Sequence, residues 1–353
     1  MPTASRWITG IGIAGTCLLS WNAAANNSSS VIVYGAMDLA FERADNGRDT
    51  ISRLSSGMNS VSRFGFRGTE DLGGGLKANF RMETAINADS GTAANADKAW
   101  SRWLHVGLSG DWGALDMGRM WSPTFIIGQS SDPLARNRTS LLTNMFLTQT
   151  SANATASTPG FLDNAIRYTT PRINGFWGEA MYSFGEATNS SGNGTGMNVQ
   201  YQSGPLYLGY GYQSINSGTA AAPVANPQAN VSHFLSARYT LGPVTLYGTY
   251  NENRSDSAAI LDSKNFSTSV RWVVSGPHAV LAQYARRSVS NSTIKAEGLQ
   301  LGYDYALSKR TVVYARYATL KNKGASRITL NGNALLAAGD DPSTMSVGIT
   351  HFF

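Results

Sequence analysis

The sequence predicts an all-β fold, a transmembrane antiparallel β-barrel of about sixteen strands. Three observations predict it. Apolar and polar residues alternate over repeated segments of about ten residues, the weak signal that barrel strands leave in any one place. Turn signals then sort into a short and a long class that alternate along the chain. Finally, charged residues make up only 14% of the 353 residues, against roughly 25% in ordinary soluble domains, while glycine (37) and tyrosine (15) are abundant. A surface that faces lipid has little use for charge.

Met1 to Ala25 reads as a secretory leader, which makes 26–353 the expected barrel domain. Arg6 is the only charge in that segment, an apolar stretch runs from Ile8 to Leu19, and Ala23-Ala24-Ala25 offers a small-residue cleavage site. The single cysteine, Cys17, falls in the leader. A cysteine-free remainder excludes disulfide frameworks, thiolate metal sites and thiol catalysis. Beyond the leader no run approaches the ~18 apolar residues of a spanning helix. Loss of Arg6 lowers the net charge from +6 to +5, spread without a basic block, so nucleic acid is not an expected partner.

The alternation is clearest where Leu299, Leu301, Tyr303, Tyr305 and Leu307 share one face and Gln300, Gly302 and Asp304 the other. Phe266, Val270, Trp272 and Val274 alternate with Ser267, Ser269 and Arg271, and Val244, Leu246 and Tyr250 with Thr245 and Thr249. Short turns fall at Leu72–Gly75, Asp111–Gly113, Asn174–Gly175, Ser203–Pro205, Leu241–Pro243, Ser275–Pro277 and Ser308–Lys309. Longer polar connections lie near Glu42–Val61, Asn87–Asp97, Trp121–Asp163, Gly185–Thr195, Ile215–Asn230, Glu252–Ser263, Ser288–Lys295 and Lys321–Thr344. About seven short and eight long connections bound about sixteen strands, an even number, with both ends on the short-turn side. An open sheet of that size would leave two exposed edges, so the sheet must close. In the last strand Val347, Ile349, His351 and Phe353 share the outward face. His351 reads as an interface residue, since four scattered histidines make a poor metal site.

These residues resemble the general porins of Gram-negative bacteria, particularly the trimeric β-proteobacterial type. The matching stretches are Ser30–Gly35, Ser62–Gly73 (SRFGFRGTEDLG), Val106–Gly110, Gly118-Arg119, Leu307–Thr311 and Gly348–Phe353. The resemblance implies a sixteen-stranded barrel, a homotrimer, and a third extracellular loop folded into the lumen as a constriction. It implies an outer-membrane location among lipid and lipopolysaccharide, and a carboxyl-terminal strand, ending in Phe353, that the barrel-assembly machinery reads. The implied activity is passive diffusion of ions and small hydrophilic solutes through a water-filled channel. No cofactor and no catalysis are expected.

A channel of this kind selects by width and by the charges at its narrowest point. Alternation sends Arg63, Gly65 and Arg67 inward from the second strand, and Lys77, Asn79, Arg81 and Glu83 inward from the third. By resemblance Arg63 and Arg102 are basic wall residues. Arg102 shares the parity of Leu104, Val106 and Leu108, which would aim it at lipid unless a bulge intervenes between Arg102 and Leu104. Arg81 and Arg119 complete the expected wall, and the loop contributes Asp132, Arg136 and Arg138. With Asp132 and Asp163 against Arg136 and Arg138 the loop carries no net charge, so the eyelet should be electropositive and mildly anion-selective. Anion-selective relatives carry a further basic residue where this chain has Phe161. Arg167 is either a partial substitute or a plain strand-end arginine, and Arg316 is a further lumen candidate. A hydrolase barrel would need a histidine paired with Ser or Asp, and His105, His233 and His278 lie in no such motif.

Overall fold

The computed structural model describes residues 30–146 and 158–353. The expected leader, with Cys17, lies outside the described residues. Sixteen staves close into one antiparallel barrel. They are β1 (Ser30–Asp45), β2 in two segments (Thr50–Ser56 and Arg63–Gly73), β3 (Leu76–Asn87), β4 (Trp103–Gly110), β5 (Gly113–Trp121), β6 (Phe161–Thr169), β7 (Phe176–Ser183) and β8 (Gly194–Ser203). There follow β9 (Leu206–Asn216), β10 (Ala229–Leu241), β11 (Val244–Ser255), β12 (Ser263–Ser275), β13 (His278–Val289), β14 (Lys295–Ala306), β15 (Thr311–Lys323) and β16 (Ser343–Phe352). A two-residue strand, Thr92–Ala93, folds back on the end of β3.

Each stave pairs with its neighbour, and β16 returns to β1 in the register Ala36↔Phe352 through Asp45↔Ser343. Phe353 extends this seam: Gly35 N–H donates to the Phe353 carbonyl at 3.1 Å and Phe353 N–H to the Gly35 carbonyl at 3.2 Å. Its ring lies on the outward face over Gly35, where no side chain would fit beneath it. Parity holds around the wall. Leu299 and Leu301 are 44% and 47% exposed while Gln300 between them is 0%. Inward polar side chains bond one another, as in Thr249 Oγ1 to Ser267 Oγ at 2.7 Å and Asn265 Nδ2 to Asn251 Oδ1 at 2.9 Å. His351 points outward, 2.9 Å from Thr311 Oγ1.

The seven short turns all form where the sequence puts them. The expected Glu42–Val61 connection does not. Strand pairing continues to Asp45 and resumes at Thr50, and residues 57–62 then leave β2. Asp38 holds this excursion, accepting from Met58 N–H (2.7 Å), Asn59 N–H (3.3 Å) and Ser60 N–H (3.3 Å).

Residues 122–146 enter the lumen. Helix α1 (Pro123–Ser130) starts at Ser122, whose Oγ accepts from Phe125 N–H at 3.4 Å, with Pro at its first position. It lies on the inner wall of β8–β10, where a Cβ on Gly211 would come within 3.1 Å of Ile127. Helix α2 (Leu141–Phe146) lies on β13 and β14. Its Leu141, Leu142, Met145 and Phe146 share an apolar cluster with Ile127, Phe234, Leu320, Ile328 and Leu330. Ile328 and Leu330 belong to the β15–β16 connection, so that connection also folds inward, over α2. Asn331 N–H donates to Asn144 Oδ1 at 3.0 Å, and Asn331 Nδ2 to Glu42 Oε2 at 2.9 Å.

Deleting Phe353 removes two backbone bonds and the outward ring at the closing seam. The expected result is less heat-modifiable, folded protein in the outer membrane, read by electrophoresis with and without heating, with unchanged ion preference in refolded channels. Wild-type folded yield would contradict the role given to this residue.

Candidate pore constriction

The inward charges of β2 and β3 meet the loop at one place. Glu83 is fully buried and collects three guanidinium groups: Arg102 Nε at 2.5 Å, Arg81 Nη2 at 2.7 Å and Arg63 Nε at 3.8 Å. Tyr34, opposite Gly65 on β1, donates its hydroxyl to Glu83 Oε2 at 2.8 Å and accepts from Arg81 Nε at 2.7 Å. Arg63 Nη1 donates to the Ser60 hydroxyl (3.0 Å) and the Val61 carbonyl (2.9 Å), which ties the wall to the excursion held by Asp38. Aromatic faces support the cluster, with Arg81 4.6 Å from the Trp103 centroid and Arg102 5.8 Å from that of Trp121.

Arg63, Arg81 and Arg102 line a cavity of about 130 Å³ whose far side is the loop: Phe125, Gln129, Leu134, Ala135, Arg136 and Asn137. Four guanidinium groups reach this cavity and no carboxylate does, because Glu83 lies beneath the wall arginines. The low-dielectric walls make that excess positive charge felt along the passage.

Arg102 faces the lumen by a different route from the one expected. The pairing Met82↔Leu104 and Glu83↔Trp103 runs without a bulge. Arg102 instead precedes β4, in a bend whose N–H donates to the Glu83 carbonyl at 3.1 Å, so strand alternation does not govern it. Arg119 is not brought to the cavity. It pairs with Leu104, a 40% exposed outward residue, and lies in a separate cleft with Lys98, Trp100 and Asp163. Gly118↔Ala165 and Met120↔Leu162 leave Asp163 and Asn164 facing Arg119 alone, a bulge with Asn164 at φ 50°. Arg119 donates to the Ser101 carbonyl at 2.8 and 3.0 Å and pairs with Asp163.

The other candidates separate by partner. Asp132 does not face the cavity but organises the loop, accepting from Leu134 N–H (3.1 Å), Arg136 N–H (2.8 Å), Ser140 Oγ (2.6 Å) and Gln283 Nε2 (3.0 Å). Burial nevertheless pushes its carboxyl above the usual range. Arg138 is exposed and reaches Asn87 Oδ1 at 3.4 Å. Lys77 is exposed beside the first short turn, opposite Asp71 and Ser109. Arg167 is bound to Asp116 at 2.8 Å, with Glu179 at 3.8 Å, and Arg316 to Asp304 at 2.5 Å and Asn59 at 2.6 Å. Both are buried, and each has a carboxylate of its own. The Phe161 ring lies under two guanidinium groups, 4.9 Å from Arg119 and 5.6 Å from Arg102. His105 Nδ1 lies 3.5 Å from Asp116 Oδ1, a pairing that the sequence does not announce. Among the described residues no group of three potential metal ligands forms.

Comparison with known proteins adds the family. The family model for Gram-negative porins matches residues 14–325. Outer membrane porin protein 32 of Delftia acidovorans is 32% identical, over 95% of this chain and 97% of its own length. An outer membrane porin of Bordetella pertussis is 26% identical over 88% and 94%. Among solved structures, the anion-selective porin from Comamonas acidovorans superimposes with a TM-score of 0.81 at 29% identity, over 92% of this chain and 99% of that one. The trimer form of OmpT from Vibrio cholerae, at 16% identity and a TM-score of 0.67, shares the fold.

Glu83→Gln leaves three guanidinium groups without their carboxylate. Unfolding by urea in detergent should show a loss of about 3–5 kcal/mol, the usual cost of stripping a buried pair of one partner. A loss below about 1 kcal/mol, the scale of an exposed pair, would contradict the burial assigned to this cluster.

Proposed function

The chain belongs to the Gram-negative porin family, and from that premise we propose that its arginine-lined cavity is the constriction of a general diffusion channel with a mild preference for anions. The observation that carries the proposal is the lining itself, four guanidinium groups and no carboxylate. An ion at the narrowest point loses part of its hydration and meets fixed charge in its place. Anions gain from that exchange and cations lose. The printed description of the Comamonas acidovorans relative as anion-selective supports the same reading.

The constriction residues in this proposal are Arg63, Arg81 and Arg102 on the wall and Arg136 on the loop. Asp132 holds the loop in shape, and Arg119, Arg138, Arg167, Arg316 and Lys77 lie outside the eyelet. Membership in a channel family agrees with an absence of catalysis, and the His105–Asp116 pair is read as part of the wall because Arg167 takes the other Asp116 oxygen. We further propose that residues 1–25 are a leader removed on export. The barrel would then insert through the barrel-assembly machinery, trimerise, and reside among outer-membrane lipid and lipopolysaccharide.

Purified protein in planar bilayers should show stepwise conductance, and a KCl gradient should give a reversal potential on the anion side. Arg63→Ala and Arg102→Ala should each move that potential toward zero, and Arg119→Ala should leave it in place. Absence of steps would sink the channel. Cation preference, or equal effects of Arg119→Ala and Arg102→Ala, would refute the assignment of the eyelet.

A further inference from the structure

β1 pairs with the first segment of β2 as far as Leu39↔Ser56 and with the second from Ala36↔Arg63. Met37 and Asp38 therefore stand opposite the whole excursion, residues 57–62, an oversized bulge of the kind that re-aims side chains beside functional sites. Met37 is outward and 41% exposed, and Asp38 is inward and fully buried. Asp38 engages the excursion along its length. At the ends, its carbonyl accepts from Gly57 N–H at 3.2 Å and from the Ser62 hydroxyl at 3.0 Å, and its own N–H donates to that hydroxyl at 3.0 Å. Between them the carboxylate takes the N–H groups of Met58 and Asn59 on Oδ1 and of Ser60 on Oδ2. Tyr314 adds its hydroxyl to Oδ1 at 2.9 Å and Thr350 adds its own to Oδ2 at 2.5 Å.

The crown of the excursion bonds in the opposite direction, to the inward loop. The Met58 carbonyl accepts from Thr139 Oγ1 at 3.1 Å and the Asn59 carbonyl from Asn137 Nδ2 at 2.8 Å. On the wall side, Ser60 and Val61 receive Arg63. Asn59, Ser60 and Val61 themselves line the cavity, between the wall arginines and the loop residues Arg136 and Asn137. One short segment thus bonds to both sides of the passage, and Asp38 holds that segment from behind.

We propose that Asp38 is a positioning residue of the channel: by fixing residues 57–62 it sets where Arg63 and the loop stand across the cavity, and with that the ion preference and steadiness of the current. The inference rests on the reading of this cavity as the constriction. Asp38 is not among the residues that line the cavity, so its effect passes through the excursion and not through contact with an ion. An amide at this position keeps the size of the side chain but replaces one acceptor oxygen by a donor. Either Ser60 N–H and the Thr350 hydroxyl, or Met58 N–H, Asn59 N–H and the Tyr314 hydroxyl, then lose their acceptor. The bonds that remain lose the help of the charge.

The test is bilayer recording and hydrogen exchange on the purified full-length protein, wild type and Asp38→Asn. In the variant the KCl reversal potential should move toward zero and the open-channel current should become noisier. Amides of residues 57–62 and 137–140 should exchange about tenfold faster or more, the scale of a lost buried acceptor. Thr139→Val removes the loop's donor to Met58; combined with Asp38→Asn, its shift of the potential should fall short of the sum of the two single shifts, as for changes that act through one segment. Thr249→Val breaks the inward pair with Ser267 elsewhere on the wall, and should lower the midpoint of thermal unfolding while potential and noise stay as in wild type. Thr350→Val takes one donor from Asp38 and the acceptor from Asn59 Nδ2; it should give the same changes at smaller amplitude, and it carries the test if Asp38→Asn does not fold. Wild-type potential and noise in the Asp38 and Thr350 variants, or shifts that simply add with Thr139→Val, would overturn the proposal and leave Asp38 a role in stability alone. The sign of the wild-type potential tests the ion preference separately. A cation-selective wild type would refute that preference, and the difference between wild type and Asp38→Asn would still decide the role of Asp38.

Discussion

Everything in this structure depends on the bonding of the backbone. Within a bilayer each peptide N–H and C=O must find a partner inside the protein, because lipid offers none. A sheet can meet that demand only by closing. Closure here is the antiparallel seam between β16 and β1, extended by the reciprocal bonds of Gly35 and Phe353. Once the sheet is closed, period-two alternation divides every stave into a lipid face and a lumen face. Chemistry is then confined to the lumen.

A closed wall alone would leave a wide lumen, and the chain fills part of it with two inward connections. Residues 122–146 carry α1 and α2 across the interior, anchored by apolar packing, by Asp132 with Gln283, and by Arg238 Nη1 donating to the Ser130 carbonyl at 2.8 Å. The β15–β16 connection closes over α2 with Ile328, Leu330 and Asn331. What remains between loop and wall is the arginine-lined cavity. Wall arginines so close together need a counter-charge, and Glu83 supplies one from beneath them. The cations are thereby held together while the surface offered to a passing ion stays positive.

Much of this was legible in the sequence, because alternation and turn chemistry are local signals. The seven short turns, the outward set Leu299, Leu301 and Tyr303, and the inward Arg63, Arg81 and Glu83 all follow from parity. Where family position and parity disagreed, the outcome depended on the local backbone. Arg102 precedes its strand, so parity had no authority over it. Arg119 lies within β5 and shares the odd numbering of Leu115 and Met117, both outward. The expectation that it belongs to the wall had not been tested against that alternation. The partnerships of Arg136, Asp132 and Arg167 were not legible, since they join loop and wall residues far apart in the chain. Nor was the inward fold of residues 324–342, whose apolar Ile328 and Leu330 sit in a stretch that otherwise reads as a polar surface loop.

In the proposed constriction, permeating ions pass the face of Arg102 and do not pass Arg119. Cys17, the one cysteine of the sequence, falls in the proposed leader, so replacing it by serine as well lets an introduced cysteine be addressed alone. The most direct measurement is single-channel current through Arg102→Cys channels before and after a negatively charged methanethiosulfonate reagent. Modification should bring a stepwise change in conductance and a shift of ion preference toward cations, with no change in Arg119→Cys channels treated alike. Unaltered current in labelled Arg102→Cys channels would contradict it.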